Sequence, residues 1–169
     1  MPPSIRRQLT LFVPPPDATV IESIRGQYNP LQRALIDSHV TLCREDELVP
    51  LDHVMQNLKQ LRQPGLTLEF GGVVRSEGGK GVLWPVVAGL AEFQQLRKIV
   101  LQGLFDDPRQ HVPHITLLHP RNSTCTDEIF DAIRSYTLPR VIQFGAISVI
   151  EQVDGGSWQV QQTYTLARQ

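Results

Sequence analysis

Two short stretches decide how this chain is read: His39-Val40-Thr41-Leu42 and Pro113-His114-Ile115-Thr116-Leu117. Side chains alternate across a β-strand, so a strand at the first stretch puts His39 and Thr41 on one face and Val40 and Leu42 on the other. The same alternation sets His114 and Thr116 against Ile115 and Leu117. Each strand then buries an apolar face and presents an imidazole and a hydroxyl on the opposite one. A single His-x-Thr carries almost no information. Two copies differ in kind, because each is embedded in an apolar strand and each sits at the same place in its half of the chain.

Working outward from the first copy, Gln8 to Val13 predicts a strand that the run Pro14-Pro15-Pro16 ends. Asp17 can cap a helix carrying Val20, Ile21 and Ile24 at helical spacing, and Tyr28-Asn29-Pro30 closes it. A second strand is predicted from Leu35 to Cys43. Pro50 then opens a helix with Leu51, Val54, Met55, Leu58 and Leu61 along one stripe, stopped by Pro64-Gly65. Beyond it, Leu66 to Val74 and Val82 to Val87 read as strands around a glycine-rich turn. Around the second copy, a helix is predicted from Leu90 to Leu104, a loop from Phe105 to Val112, a strand from Pro113 to Leu118 and a helix from Thr126 to Tyr136. Two closing strands follow, Val141 to Val153 and Ser157 to Leu166, joined by the hairpin signal Asp154-Gly155-Gly156.

The order strand, helix, strand, helix, strand thus occurs twice, with one extra strand at the end, and His39 and His114 are 75 residues apart. An internal repeat can pair with its copy about a pseudo-twofold axis. The expectation is α+β: a single bilobal domain over residues 1–169, with repeat halves at roughly 8–75 and 80–169. Antiparallel sheets of the two lobes line a central cleft, and the helices lie outside. The two His-Thr faces then meet at the cleft, with an imidazole on either side of one ligand.

Two imidazoles suit attack on a phosphodiester. One, neutral, takes a proton from water or a hydroxyl, and the other, protonated, gives one to the leaving oxygen. A free pKa of about 6.5 lets both states coexist near neutrality. Thr41 and Thr116 can donate hydrogen bonds to non-bridging phosphate oxygens, which gain charge in the transition state. The pair supplies both acid and base, so the expected chemistry needs no metal and no cofactor. Arg44 and Arg121 follow the two motif strands, and His119 stands next to the second, so all three are candidates to reach a phosphate or base. His111-x-x-His114 could hold a metal only with a third ligand from elsewhere.

The bulk numbers fit a small ligand. The chain has 169 residues, 41% hydrophobic and 20% charged, enough for a real core. Its formal net charge of −1 supplies no global basic field for a long polyanion, so a nucleic-acid substrate must be held by a local cluster of groups. Cys43 and Cys125 are too far apart in sequence for a zinc knuckle and read as free thiols in a reducing compartment. The apolar run near the N-terminus is broken by prolines and is too short for a signal peptide or membrane span, so a cytoplasmic location is expected.

This arrangement resembles the 2H phosphoesterase superfamily, and within it the 2'-5' RNA ligase-like proteins. Besides the two motif segments, the resemblance rests on the opening QLTLFV at 8–13, GVLWPVVAGL at 81–90 and ISVIEQVDGGSWQVQQTYTL at 147–166, so it spans nearly the whole chain. It implies a bilobal 2H phosphoesterase-like fold with a cleft between the lobes, and cyclic phosphodiesterase chemistry or, for some members, reversible 2'-5' ligation. It also implies acid and base roles for His39 and His114 and phosphate contacts for Thr41 and Thr116. Ligase-like bacterial members usually carry basic residues directly after the second motif, whereas here the text is Leu118-His119-Pro120-Arg121.

The function expected is hydrolysis of 2',3'-cyclic or related nucleotide or RNA-end phosphodiesters. The alternatives are RNA 2'-5' ligation and a module that binds nucleotide or RNA without turnover. The partner is a nucleotide or short RNA end, with no membrane involved. A monomer is expected, because the internal repeat already supplies the twofold.

Overall fold

The computed structural model describes residues 1–167, so positions 168 and 169 of the predicted second half lie outside the described residues. The strands are β1 (Ile5–Phe12), β2 (His39–Cys43), β3 (Leu66–Phe70), β4 (Val74–Arg75), β5 (Val82–Ala88), β6 (His114–Leu118), β7 (Val141–Phe144), β8 (Ala146–Val153) and β9 (Gln159–Thr165). The helices are α1 (Ala18–Tyr28), α2 (Pro30–Leu35), α3 (Leu51–Lys59), α4 (Leu90–Val100) and α5 (Asp127–Arg134). The strands form one antiparallel sheet in the order β7-β3-β5-β6-β2-β1-β8-β9, with β4 added alongside β5.

That order is symmetric about its centre, where the motif strands β2 and β6 are direct neighbours. β1 flanks β2 as β5 flanks β6, and β8 and β3 come next on either side. Each half sends a strand across to the other side: β3, which follows α3, pairs with β5, and β8, the second strand after α5, pairs with β1. The two lobes are therefore laced together by exchanged strands. The sheet also curls on itself. The Gly65 amide donates to the Ala167 carbonyl at 2.9 Å and the Ala167 amide donates to the Gln63 carbonyl at 2.8 Å, so the segment after β9 meets the segment before β3.

The apolar stripes foreseen along the helices supply one core. Ile21 and Ile24 of α1, Val54 and Leu58 of α3, and Phe93, Leu96 and Val100 of α4 are buried against Leu9, Leu11, Val40, Leu42, Ile115 and Leu117 of the central strands. Burying such stripes against a sheet is the main stabilising term of the fold.

Several boundaries differ from the sequence reading; the predicted strand over 66–74, for one, ends at Phe70 and is followed by the short β4. β1 begins at Ile5, because Arg6 and Arg7 continue the ladder with Gln152 and Glu151 of β8. Pro30 does not merely end a helix; it occupies the first turn of α2, where its missing N–H costs nothing, so β2 starts at His39 rather than Leu35. Helix α4 stops at Val100, and Leu101 to Leu104 form a turn with Gly103 at φ +84°. The predicted strand over 141–153 is two strands broken at Gly145, β7 pairing with β3 and β8 with β1.

Gly89 starts α4 at φ +94°, a left-handed conformation, and a Cβ there would stand 2.6 Å from the Thr67 carbonyl oxygen. Gly89→Ala should therefore destabilise the protein by about 1–3 kcal/mol. Urea denaturation checks this; an unchanged midpoint would contradict the packing described for the β5–α4 corner.

Candidate active site

Val40 pairs with Ile115 at the middle of the sheet, and both are fully buried. By alternation, the flanking His39, Thr41, His114 and Thr116 all lie on the other face, where they line one cleft of about 460 Å³. The antiparallel register runs each histidine towards the threonine of the other motif, and the two histidines fall on a diagonal, roughly 7–8 Å apart in an ordinary ladder. Both strands carry the same irregularity. Leu9 pairs with Cys43 and Thr10 with Thr41, skipping Leu42; Val82 pairs with Leu118 and Leu83 with Thr116, skipping Leu117. Such shifts re-aim a strand beside a site. Here they turn Cys43 and Leu118 fully inward, which ends each motif's polar face at its threonine.

The two imidazoles are held alike. Nδ1 of His39 donates to the Asp37 carbonyl at 2.8 Å, and Nδ1 of His114 donates to the Val112 carbonyl at 3.1 Å. A carbonyl can only accept, so the proton of each neutral ring stays on Nδ1 and Nε2 is left with a free lone pair. Burial pushes His39 down to about 4, against the raising effect of its backbone hydrogen bond; the charges of Arg25 and His114 add to the lowering. His39 is thus neutral near pH 7.

Buried ion pairs fix the segments that lead into the site. Arg25, on the inner face of α1, pairs with Glu22, and its guanidinium donates to the Ile36 carbonyl at 2.7 Å. Glu22 also accepts from the Ser38 amide at 3.2 Å, so residues 36–38 reach His39 already held. Arg97 of α4 is fully buried and forks onto Glu47 at 3.0 and 2.6 Å. The same guanidinium donates to the carbonyls of Leu42 at 2.6 Å and Arg109 at 2.9 Å, tying the exit of the first motif to the approach of the second. Its Nε has no partner among the described residues. A bidentate Arg–carboxylate pair with further hydrogen bonds is the geometry in which a buried pair repays its desolvation. Gln8 donates to the hydroxyl oxygens of Thr10 at 2.6 Å and Thr41 at 3.1 Å, which leaves the Thr41 hydroxyl proton free to be donated.

Arg44, His119 and Arg121 line the same cleft as the four motif residues. Arg6, Arg7, Arg25 and Arg109 line it too, and each of these four is paired with a carboxylate. Arg44 and Arg121 have no such partner among the described residues. The cleft is locally basic although the chain is not. His111 also faces it, edge-on to Phe93 at 5.6 Å, and burial lowers its pKa. Among the described residues no three His, Cys, Asp or Glu side chains stand close enough to hold a metal ion. Burial also raises the Cys43 thiol, so it has no thiolate character.

The sequence reading passed over Arg6, Gln8, Arg25 and Trp158. Arg6, Gln8 and Thr10 share one parity along β1, a signal hidden by starting the strand at Gln8. Arg25 lies at i+4 from Ile21, on the buried stripe of α1. Trp158 had no local signal: its amide donates to the Leu35 carbonyl at 2.8 Å, a contact made only when the β8–β9 hairpin folds towards α2.

A curled antiparallel sheet with a His-x-Thr pair side by side at its centre defines a two-histidine phosphoesterase-type scaffold. The profile of the 2'-5' RNA ligase superfamily matches residues 13–156, and the chain belongs to that superfamily. A Bacillus licheniformis protein provisionally described as a phosphoesterase is 23% identical over 154 residues, which is 87% of this chain and 90% of that one. Among solved structures, Escherichia coli LigT complexed with ATP has a TM-score of 0.67 at 16% identity, covering 99% of this chain and 100% of its own. LigT complexed with 3'-AMP has a TM-score of 0.64 at 16% identity, with the same coverage. At these identities the structural likeness is a likeness of fold. Among the described residues no helix is long and apolar enough to cross a membrane.

The setting of His39 makes a measurable statement. Its imidazole should titrate near pH 4, well below 6.5, and inorganic phosphate should raise that value by adding negative charge beside it. Histidine resonances followed by NMR across pH, with and without phosphate, check both parts; titration at 6.5 that phosphate does not move would contradict them.

Proposed function

We propose that this chain is a metal-independent phosphoesterase that opens 2',3'-cyclic phosphates of nucleotides or RNA ends to monoesters. The observation that carries the reading is the pair of imidazoles on one cleft face, each with Nδ1 locked to the carbonyl two residues before it and Nε2 left free. His39, held neutral, is the general base: its Nε2 takes a proton from water as the water oxygen attacks phosphorus. The P–O bond to the in-line ribose oxygen breaks, and His114 gives its Nε2 proton to that oxygen. The cycle closes when His39 loses a proton to solvent and His114 regains one. Thr41 and Thr116 donate to the non-bridging oxygens, whose charge grows in the transition state. Arg44, His119 and Arg121 supply further positive or donor groups along the cleft.

Superfamily membership and the crystallised complexes of LigT with ATP, NADP+ and 3'-AMP support a nucleotide as the ligand. The second reading is RNA 2'-5' ligation, which runs the same two proton transfers in the same sense, with a ribose hydroxyl of a second RNA end attacking phosphorus in place of water. A module that binds without turnover has no use for two anchored imidazoles. Two buried free thiols fit a cytoplasmic protein, and the built-in pseudo-twofold fits a monomer.

The test is hydrolysis of 2',3'-cyclic nucleotides in EDTA by the wild type and by His39→Ala and His114→Ala. Turnover that persists in EDTA and falls by about 10²-fold or more in each variant is expected. Turnover abolished by EDTA, or retained in either variant, would overturn the reading.

A further inference from the structure

The turn after the second motif is built more tightly than a surface loop requires. The Asn122 amide donates to the His119 carbonyl at 3.3 Å, and the Ser123 hydroxyl donates to the same carbonyl at 2.7 Å. Asn29, almost fully buried between α1 and α2, accepts from the His119 amide at 2.8 Å. Its side-chain amide donates to the Asn122 carbonyl at 3.2 Å and to the Asn122 side-chain oxygen at 2.9 Å. Asn122 in turn donates to Gln32 at 2.9 Å. Residues 119–123 are thus clamped to helices of the other half of the chain.

What the clamp holds is an unsatisfied pair. The Arg121 backbone amide donates to Nδ1 of His119 at 3.1 Å, and the Arg121 guanidinium stands 3.3 Å from Nε2 of the same ring. A neutral imidazole has only one accepting nitrogen. With Nδ1 accepting, Nε2 carries a proton and faces an N–H of the guanidinium, donor against donor. Moving the proton to Nδ1 only transfers the conflict to the backbone amide. An acceptor placed beside both donors relieves it, and an anion relieves it best, because Arg121 has no carboxylate partner among the described residues. Both side chains line the cleft that holds the two motif histidines. Burial and the charges of Arg121, Arg6 and His114 lower the His119 imidazole, which places this pair within reach of His114's field.

We propose that His119 and Arg121 form a second anion subsite that takes a phosphate other than the scissile one, so that the preferred substrate carries at least two phosphate groups. This rests on the phosphoesterase reading of the cleft. Pre-organised donors gain affinity by having little ordering left to lose, which is what the Asn29 clamp provides. The second phosphate could be a 5'-phosphate on the same nucleotide or the internucleotide phosphate of an RNA end.

The test compares kcat/KM in EDTA for adenosine 2',3'-cyclic phosphate, its 5'-phosphorylated form and the dinucleotide ApA ending in a 2',3'-cyclic phosphate. The wild type should prefer at least one two-phosphate substrate by about tenfold or more, the size expected of a charge-assisted hydrogen bond, and the preference should shrink as salt rises. In Arg121→Gln the ratio between two-phosphate and one-phosphate substrates should collapse towards one, whatever the absolute loss. Preference for the 5'-phosphorylated nucleotide alone identifies a terminal phosphate as the ligand, and preference for the dinucleotide identifies an RNA chain. Equal kcat/KM for all three in the wild type, or a preference that survives in Arg121→Gln, overturns the subsite and leaves the phosphoesterase reading standing. Turnover of none of the three overturns that reading instead.

Discussion

The pairing of β2 with β6 through Val40 and Ile115 is the constraint on which the site depends. An antiparallel pair has a local twofold, and this one coincides with the symmetry of the whole strand order. It brings together two histidines 75 residues apart without asking either to sit on a loop. Both are on strands whose opposite faces are completely buried, and a shift of one residue in either strand would send its histidine into the core and expose its valine or isoleucine. Burial of those apolar residues therefore fixes where the two histidines stand.

A second layer of charge refines what the strands place. Arg25–Glu22 and Arg97–Glu47 are both buried or nearly so, and each arginine also donates to the backbone next to a motif. Removing one partner of such a pair leaves an uncompensated buried charge, typically 3–5 kcal/mol, so these pairs tie the segments before His39 and before His114 to the stability of the domain. The pair before the first motif also acts on its histidine: Arg25 lies close enough to His39 for its charge to lower that imidazole further. The environment of His39 thereby favours the neutral form that a general base needs.

Much of this was legible in the sequence because it follows from period-2 alternation and from repetition. The two motif strands, the helices after Pro50 and Gly89 and the closing hairpin all announce themselves locally. What was not legible depends on contacts between distant segments. Gly145 stands in a run that reads as one strand, and only the strand order, which sets β7 at one edge beside β3 and β8 beside β1 towards the other, shows why the chain must break there. Pro30 reads as a stop, yet begins α2. Arg97 sits on the apolar stripe of α4 as an apparent exception, and its carboxylate partner Glu47 is 50 residues away in sequence. Of the cleft, the residues on or just after the motif strands could be named beforehand, whereas Trp158 and Arg6 enter it through the folding of a hairpin and the extension of β1 back to Ile5.

The central claim is that His39 and His114 act as one acid–base unit on a single phosphate. The most direct measurement is kcat/KM for a 2',3'-cyclic phosphate substrate in His39→Ala, His114→Ala and the double variant. Residues that act as a unit are strongly non-additive, so the double variant should be about as slow as either single one. Losses that multiply in the double variant would mean that the two imidazoles contribute independently, and would contradict the account.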